Sequence, residues 1–164
     1  MTTGLKALTR RIGALVVMLV ALSPAIIVTA PQAQAASAPS ASAVAAFEAR
    51  VIWRMNKERA RLHRGGNLVP AACPDVYAEG WSAYLAKTGR FYHREMMPFL
   101  RGCHASRVAE NLARGNISAD QIVYAWMASP GHRANVLDPR LTKVGVGAVY
   151  RNGTWTVAAN FTRP

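Results

Sequence analysis

The chain has 164 residues and a hydrophobic fraction of 51%. That is one domain's length with enough apolar content for a core, which excludes a disordered chain and leaves little room for a second full domain. Twenty Lys and Arg against eight Asp and Glu give +12, a balance that disfavours cationic substrates and favours anionic surroundings such as nucleic acid, anionic lipid or acidic wall polymer.

The first thirty-five residues read as a leader rather than as fold. Lys6, Arg10 and Arg11 form a positive start, Ile12 to Val28 is almost wholly apolar, and Ala33-Gln34-Ala35 has the small-x-small form of a cleavage site. Together they predict a secretory signal peptide over 1–35; a retained anchor is the alternative, against which Pro24 and the small-residue site stand. Three of the twenty cations and none of the acids fall in this segment, so the remainder carries +9. Residues 36–43 are Ala, Ser and Pro only and read as a short tail. The rest, 44–164, reads as a single domain.

Val44, Phe47, Val51, Met55 and Leu62 share a helical apolar stripe, which predicts a long helix over 44–62 ended by Gly65-Gly66. Arg50, Arg54, Lys57, Arg61 and Arg64 form a basic stripe beside it, either a solvated face or a docking surface for anionic polymer or lipid. Cys73 or Pro74 opens a second helix, stopped by Gly89, with Tyr77, Trp81, Tyr84 and Leu85 on one face. Met96 to Leu100 is an apolar patch expected to pack over that helix, with a lipid-contacting flap as the other reading. Ser118 to Gln121 reads as a capping box opening a third helix, which Ser129-Pro130-Gly131 terminates.

The C-terminus carries the clearest strand signal. Val144, Val146, Ala148 and Tyr150 alternate, Asn152-Gly153 is a two-residue hairpin turn, and Trp155, Val157, Ala159 and Phe161 alternate on the way back. The loop length places Tyr150 opposite Trp155, Val146 opposite Ala159 and Val144 opposite Phe161. All eight then share a face that helices must cover, while Gly145 and Gly147 leave the other face open to close approach. Helices preceding strands predict α+β with an antiparallel sheet between helical layers.

Export also bears on the cysteines. In an oxidising space Cys73 and Cys103 are expected to bridge, worth roughly 3–4 kcal/mol in the chain-entropy model; two buried thiols or a metal pair are the alternatives. Between the second helix and the hairpin lie stretches rich in His, Glu and Asn, read as long loops. His93, Glu110, Asn111, His132 and Asn135 fall there, with Trp126 just before the last two. Taken singly, each is an ordinary cap, core or hydrogen-bonding residue.

In order, however, these motifs resemble the CAP superfamily of cysteine-rich secretory, antigen 5 and pathogenesis-related proteins, in its short bacterial secreted branch. Asn56 and Arg59 match an Asn-x-x-Arg on the first helix, Phe91-x-His93 a first histidine motif, and Glu110-Asn111-Leu112-Ala113 a Glu-Asn-(Ile/Leu)-Ala motif. Trp126-x-x-Ser-Pro-Gly-His132-Arg-x-Asn135 matches a second histidine motif, and Val144 to Gly147 with Phe161 the last strands. The resemblance implies a three-layer α-β-α sandwich with a mainly antiparallel sheet, and a shallow cleft gathering His93, Glu110 and His132. Asn56, Arg59, Asn111, Trp126 and Asn135 are then motif residues that build the fold.

Two imidazoles and a carboxylate suit zinc, with Glu110 as a third ligand, and equally suit a base with its orienting acid. Many eukaryotic members of the family this chain resembles carry a second glutamate three residues after the tryptophan matched by Trp126, where this chain has Ser129, which weakens a catalytic reading. The function expected is a secreted monomeric module that binds a small apolar ligand, or an anionic envelope polymer or lipid. The alternative is a zinc-dependent hydrolase, a protease among the options, using His93, Glu110 and His132. No nucleic-acid motif is present, and export argues against nucleic acid as the anionic partner. His63 and His104 lie outside the motifs and read as structural or surface residues.

Overall fold

A computed structural model of the chain describes Met1 and residues 38–164. Apart from Met1, the expected signal peptide lies outside the described residues, as do positions 36 and 37 of the expected tail. Among the described residues no helix is long and apolar enough to cross a membrane.

The first helix, α1, spans Ala41–Arg61. Its start is set by Ser40, whose hydroxyl accepts from the Ala43 N–H at 3.2 Å, so the helix begins three residues ahead of the expected Val44, inside the stretch read as tail. Strand β1 is only Val69–Pro70. Helix α2, Ala72–Thr88, carries Pro74 in its first turn and is closed by Gly89, whose left-handed φ of 73° suits a residue without Cβ. Helix α3 is Met96–Gly102; its Phe99 is fully buried beside the Tyr77 ring, centroids 5.0 Å apart, so the Met96–Leu100 patch meets α2 through Phe99, while Met97 stays exposed.

Strand β1 and helix α3 are not among the expected elements, and two longer ones also depart from expectation. Arg107–Gly115, read as loop, is a nine-residue strand, β2. The Ser129-Pro130-Gly131 stop ends helix α4 (Ala119–Ala128), but Pro130 opens a further helix, α5 (Pro130–Leu137), because proline's missing N–H costs nothing in a first helical turn. The capping box at Ser118 and Gln121 forms as expected. Strands β3 (Lys143–Arg151) and β4 (Thr154–Arg163) make the hairpin, with Tyr150 opposite Trp155, Val146 opposite Ala159 and Val144 opposite Phe161.

The sheet order is β1-β3-β4-β2. It is mixed rather than wholly antiparallel, since β1 runs parallel to β3. One face packs Val144, Val146, Val157, Ala159 and Phe161 against Val51 and Met55 of α1, Ile122, Val123 and Trp126 of α4 and Val136 of α5. The other face packs Ala158 and Leu112 against Ala78 and Leu85 of α2. Gly145 and Gly147 permit that second contact: a Cβ on either would overlap the α2 backbone, at Pro74–Asp75 and at Ala78–Glu79. The result is an α-β-α sandwich, clipped at one end by the disulfide from Cys73, in the first turn of α2, to Cys103 at the end of α3.

Much of the basic stripe on α1 is paired. Arg50 makes two 2.9 Å bonds to Asp120, Arg54 reaches Asp120 and Glu58, and Arg61 bonds Glu58 at 2.7 Å.

Candidate functional site

Strand β2 is the edge strand next to β4, and it brings the candidate residues together. Register with β4 puts Glu110 opposite Asn160 and Asn111 opposite Ala159. Glu110 therefore points toward the α2 layer and Asn111 toward the layer of α1, α4 and α5, as strand alternation requires.

The Glu110 side chain is only 1% exposed. Its Oε1 accepts from His93 Nδ1 at 2.9 Å and from the Arg94 N–H at 3.3 Å. In the amide orientation that satisfies both neighbours, Asn160 donates to Glu110 Oε2 at 3.3 Å and accepts from the Ala78 N–H at 3.1 Å. Burial pushes the Glu110 carboxyl above the usual carboxylate range; the bonds from His93 and Arg94 oppose that shift without cancelling it. Both oxygens face N–H donors, which is the surrounding an ionised carboxylate needs.

His93 lies in the segment between α2 and α3, with its side chain 56% exposed. His132, on the first turns of α5, faces it with ring centroids 6.4 Å apart. Burial and then the neighbouring His93 hold the His132 imidazole below its ordinary 6.5. With Nδ1 of His93 committed to Glu110, its Nε2 is the nitrogen left to meet a ligand. Arg94 is held beside this segment by a 3.0 Å bond to the Tyr77 carbonyl and by the faces of Tyr77 and Trp81, at 4.7 and 5.2 Å.

The motif residues fix this arrangement. Trp126 Nε1 donates to the Leu112 carbonyl at 3.0 Å, and Asn135 donates to the Glu110 carbonyl at 3.2 Å and to Asn111 Oδ1 at 2.9 Å. Asn111 in turn donates to the His132 carbonyl at 3.0 Å. These bonds cover the outer edge of β2 and tie the α5 turn bearing His132 to the strand bearing Glu110. Farther off, the Asn56 amide bonds both backbone groups of Leu68. Arg59, 1% exposed, donates to the carbonyls of Gly66, Val136, Asp138 and Leu141.

Asn160 and Arg94 went unsingled in the sequence. The signal for Asn160 was a lone amide in the β4 alternation, placed opposite Gly145 in the hairpin. Ser129 sits at the α4–α5 junction, its backbone carbonyl accepting from the Arg133 N–H, and adds no acid to the site.

A zinc ion fits this donor set only in part. His93 Nε2 and His132 can converge on a metal, but Glu110 already orients His93 and so serves behind the ligands. Among the described residues no group of three metal-binding side chains forms, and two imidazoles are one ligand short of the three typical of catalytic zinc.

Comparison with known proteins completes the picture. The profile of the cysteine-rich secretory protein family, CAP, matches residues 54–161. The uncharacterized protein YkwD of Bacillus subtilis is 32% identical over 131 residues, covering 73% of this chain and 48% of its own length. The chain thus spans about half of that curated relative. An extracellular protein with an SCP domain from Bacillus anthracis superposes with a TM-score of 0.62 at 25% identity, over 78% of this chain and 45% of that one. A cysteine-rich secretory protein from Staphylococcus aureus gives 0.62 at 18% identity, over 76% and 41%, a likeness of fold alone.

Proposed function

The chain belongs to the cysteine-rich secretory protein family, and from that premise we propose that it is a secreted binding module whose ligand is gripped between His93 and His132. The observation that carries this reading is the 2.9 Å bond from His93 Nδ1 to the buried Glu110 carboxylate. It presets one imidazole and leaves its Nε2 free, while the Asn111 bond to the His132 carbonyl holds a second imidazole near it. A neutral His93 offers an acceptor at Nε2 and His132 offers a donor or an acceptor by tautomer, so the pair suits a polar ligand group held at two points.

Export by the expected signal peptide would bring this site to the cell envelope, and a charge of +9 favours an anionic component there. The exported protein should be retained on an envelope fraction, and His93→Ala with His132→Ala should release most of it. Equal retention of wild type and double variant would overturn the binding role of the pair.

One observation favours a second reading. The carboxylate-oriented imidazole is also the arrangement that raises the basicity of a metal-ligating histidine. Zinc, where bound, would be held by His93 and His132 and would supply Lewis-acid character; hydrolysis does not follow from two ligands. Zinc should raise the melting temperature of the wild type and not of the double variant. An equal response of both would refute the site.

A further inference from the structure

At the hairpin end of the sandwich, away from the imidazole pair, lies a cavity of about 380 Å³. It is lined by Lys87 and Thr88 from the last turn of α2, Arg114 from β2, Arg151 and Asn152 at the hairpin turn, and Thr154 and Thr156 from β4, with Ala86 and Gly89 completing the wall. Three cations line it and no acid does. Its size suits a small ligand rather than a water cluster.

The polar groups around it are mostly donors. Arg114 is a fixed part of the wall: its guanidinium bonds the carbonyls of Leu85, Gly89 and Arg90 and the Thr156 hydroxyl. Its positive charge sits at the C-terminal end of α2 and offsets the negative pole that would otherwise repel an anion. The Thr156 oxygen accepts from Arg114, which leaves its O–H to donate inward. Lys87 and Arg151 differ from most of the α1 cations. Arg50, Arg54 and Arg61 are tied to Asp120 and Glu58, whereas Lys87 and Arg151 pair with no carboxylate among the described residues. Two uncommitted cations, hydroxyls and an amide around one concavity are complementary to a ligand with a negative group and several hydroxyls.

We propose that this cavity is a binding site for an anionic saccharide unit, with its carboxylate or phosphate between Lys87 and Arg151 and its hydroxyls against Thr154, Thr156 and Asn152. It stands independently of the His93–His132 site. Arg114 and Glu110 lie on the same side of β2, four residues and on the order of 13 Å apart, so the two sites fall along one strand.

The test is an NMR titration of the exported domain with glucuronate, glucose 1-phosphate, glucose and inorganic phosphate. Saturable shifts at Gly89, Asn152 and Gly153 are expected with one or both anionic sugars, and which of them binds tells carboxylate from phosphate. Glucose should bind weakly, and His93 and His132 should stay unmoved. Lys87→Gln with Arg151→Gln should weaken binding by about tenfold or more while leaving the melting temperature unchanged. Inorganic phosphate binding as tightly as the sugars would overturn the saccharide assignment. Absence of saturable shifts, or an unaltered affinity in the double variant, would overturn the site. A lowered melting temperature would transfer the decision to Lys87→Glu alone, where undiminished binding refutes the proposal.

Discussion

Glu110 carries the most consequential choice in this sequence. A carboxylate in a strand facing a helix is costly unless every lone pair it presents finds a donor. Here His93, the Arg94 N–H and Asn160 supply those donors, so the buried acid fixes the orientation of the exposed base. His132 is shifted the other way, with burial and His93 disfavouring its charge. Below pH 6.5 the unfolded chain therefore binds a proton that the folded chain resists, and the associated stability, present above that pH, is lost as pH falls through the depressed value. Glu110 works with opposite sign: its raised value gives stability below 4.5 that is lost as pH rises through it. Comparison by variant separates the two. His132→Gln should flatten the loss of melting temperature as pH falls below 6.5; an unchanged slope would contradict the assigned shift.

At the scale of elements, the hairpin was legible to the residue because alternation and an Asn-Gly turn pointed to one register. The helices α1, α2 and α4 were legible from their apolar stripes, glycine stops and capping box. Strand β2 was not, and its illegibility has a physical cause. One of its faces carries Glu110 for the site and the other carries Asn111 for the α5 tie, so the apolar alternation that marks a strand is broken where function occupies it. Helix α5 was hidden for a different reason: Ser-Pro-Gly both ends one helix and starts another. The same locality explains why the site residues could be named from motif order while the choice between Glu110 as a third ligand and Glu110 as an orienting acid could not be made; that it stands behind His93 depends on a strand the pattern did not show. The close approach of α2 to β3 gives a direct test. Gly147→Ala should destabilise the fold by about 2 kcal/mol or more, because the added methyl meets the backbone of Ala78 and Glu79 rather than a side chain that can swing away. Urea unfolding at wild-type stability would contradict that packing.

For the whole molecule, the site exists because two layers meet over one sheet edge. His93 comes from the α2 side, His132 from the α5 side, and Glu110 from the strand between them. The Cys73–Cys103 bond closes the loop that contains the His93 segment, which restricts that segment already in the unfolded chain. Charge also rearranges at this scale. The α1 stripe, conspicuous in the sequence, is largely answered by Asp120 and Glu58, whereas Lys87 and Arg151 beside the hairpin turn have no carboxylate partner among the described residues. The central claim is that buried Glu110 sets the tautomer of His93 and leaves its Nε2 as a free acceptor beside His132. Long-range proton–nitrogen NMR of the imidazoles at neutral pH tests it most directly. The wild type should show His93 protonated at Nδ1 with a lone-pair-bearing Nε2, and Glu110→Ala should shift the population toward the Nε2-protonated form; a wild-type His93 already protonated at Nε2, or a tautomer indifferent to Glu110→Ala, would contradict it.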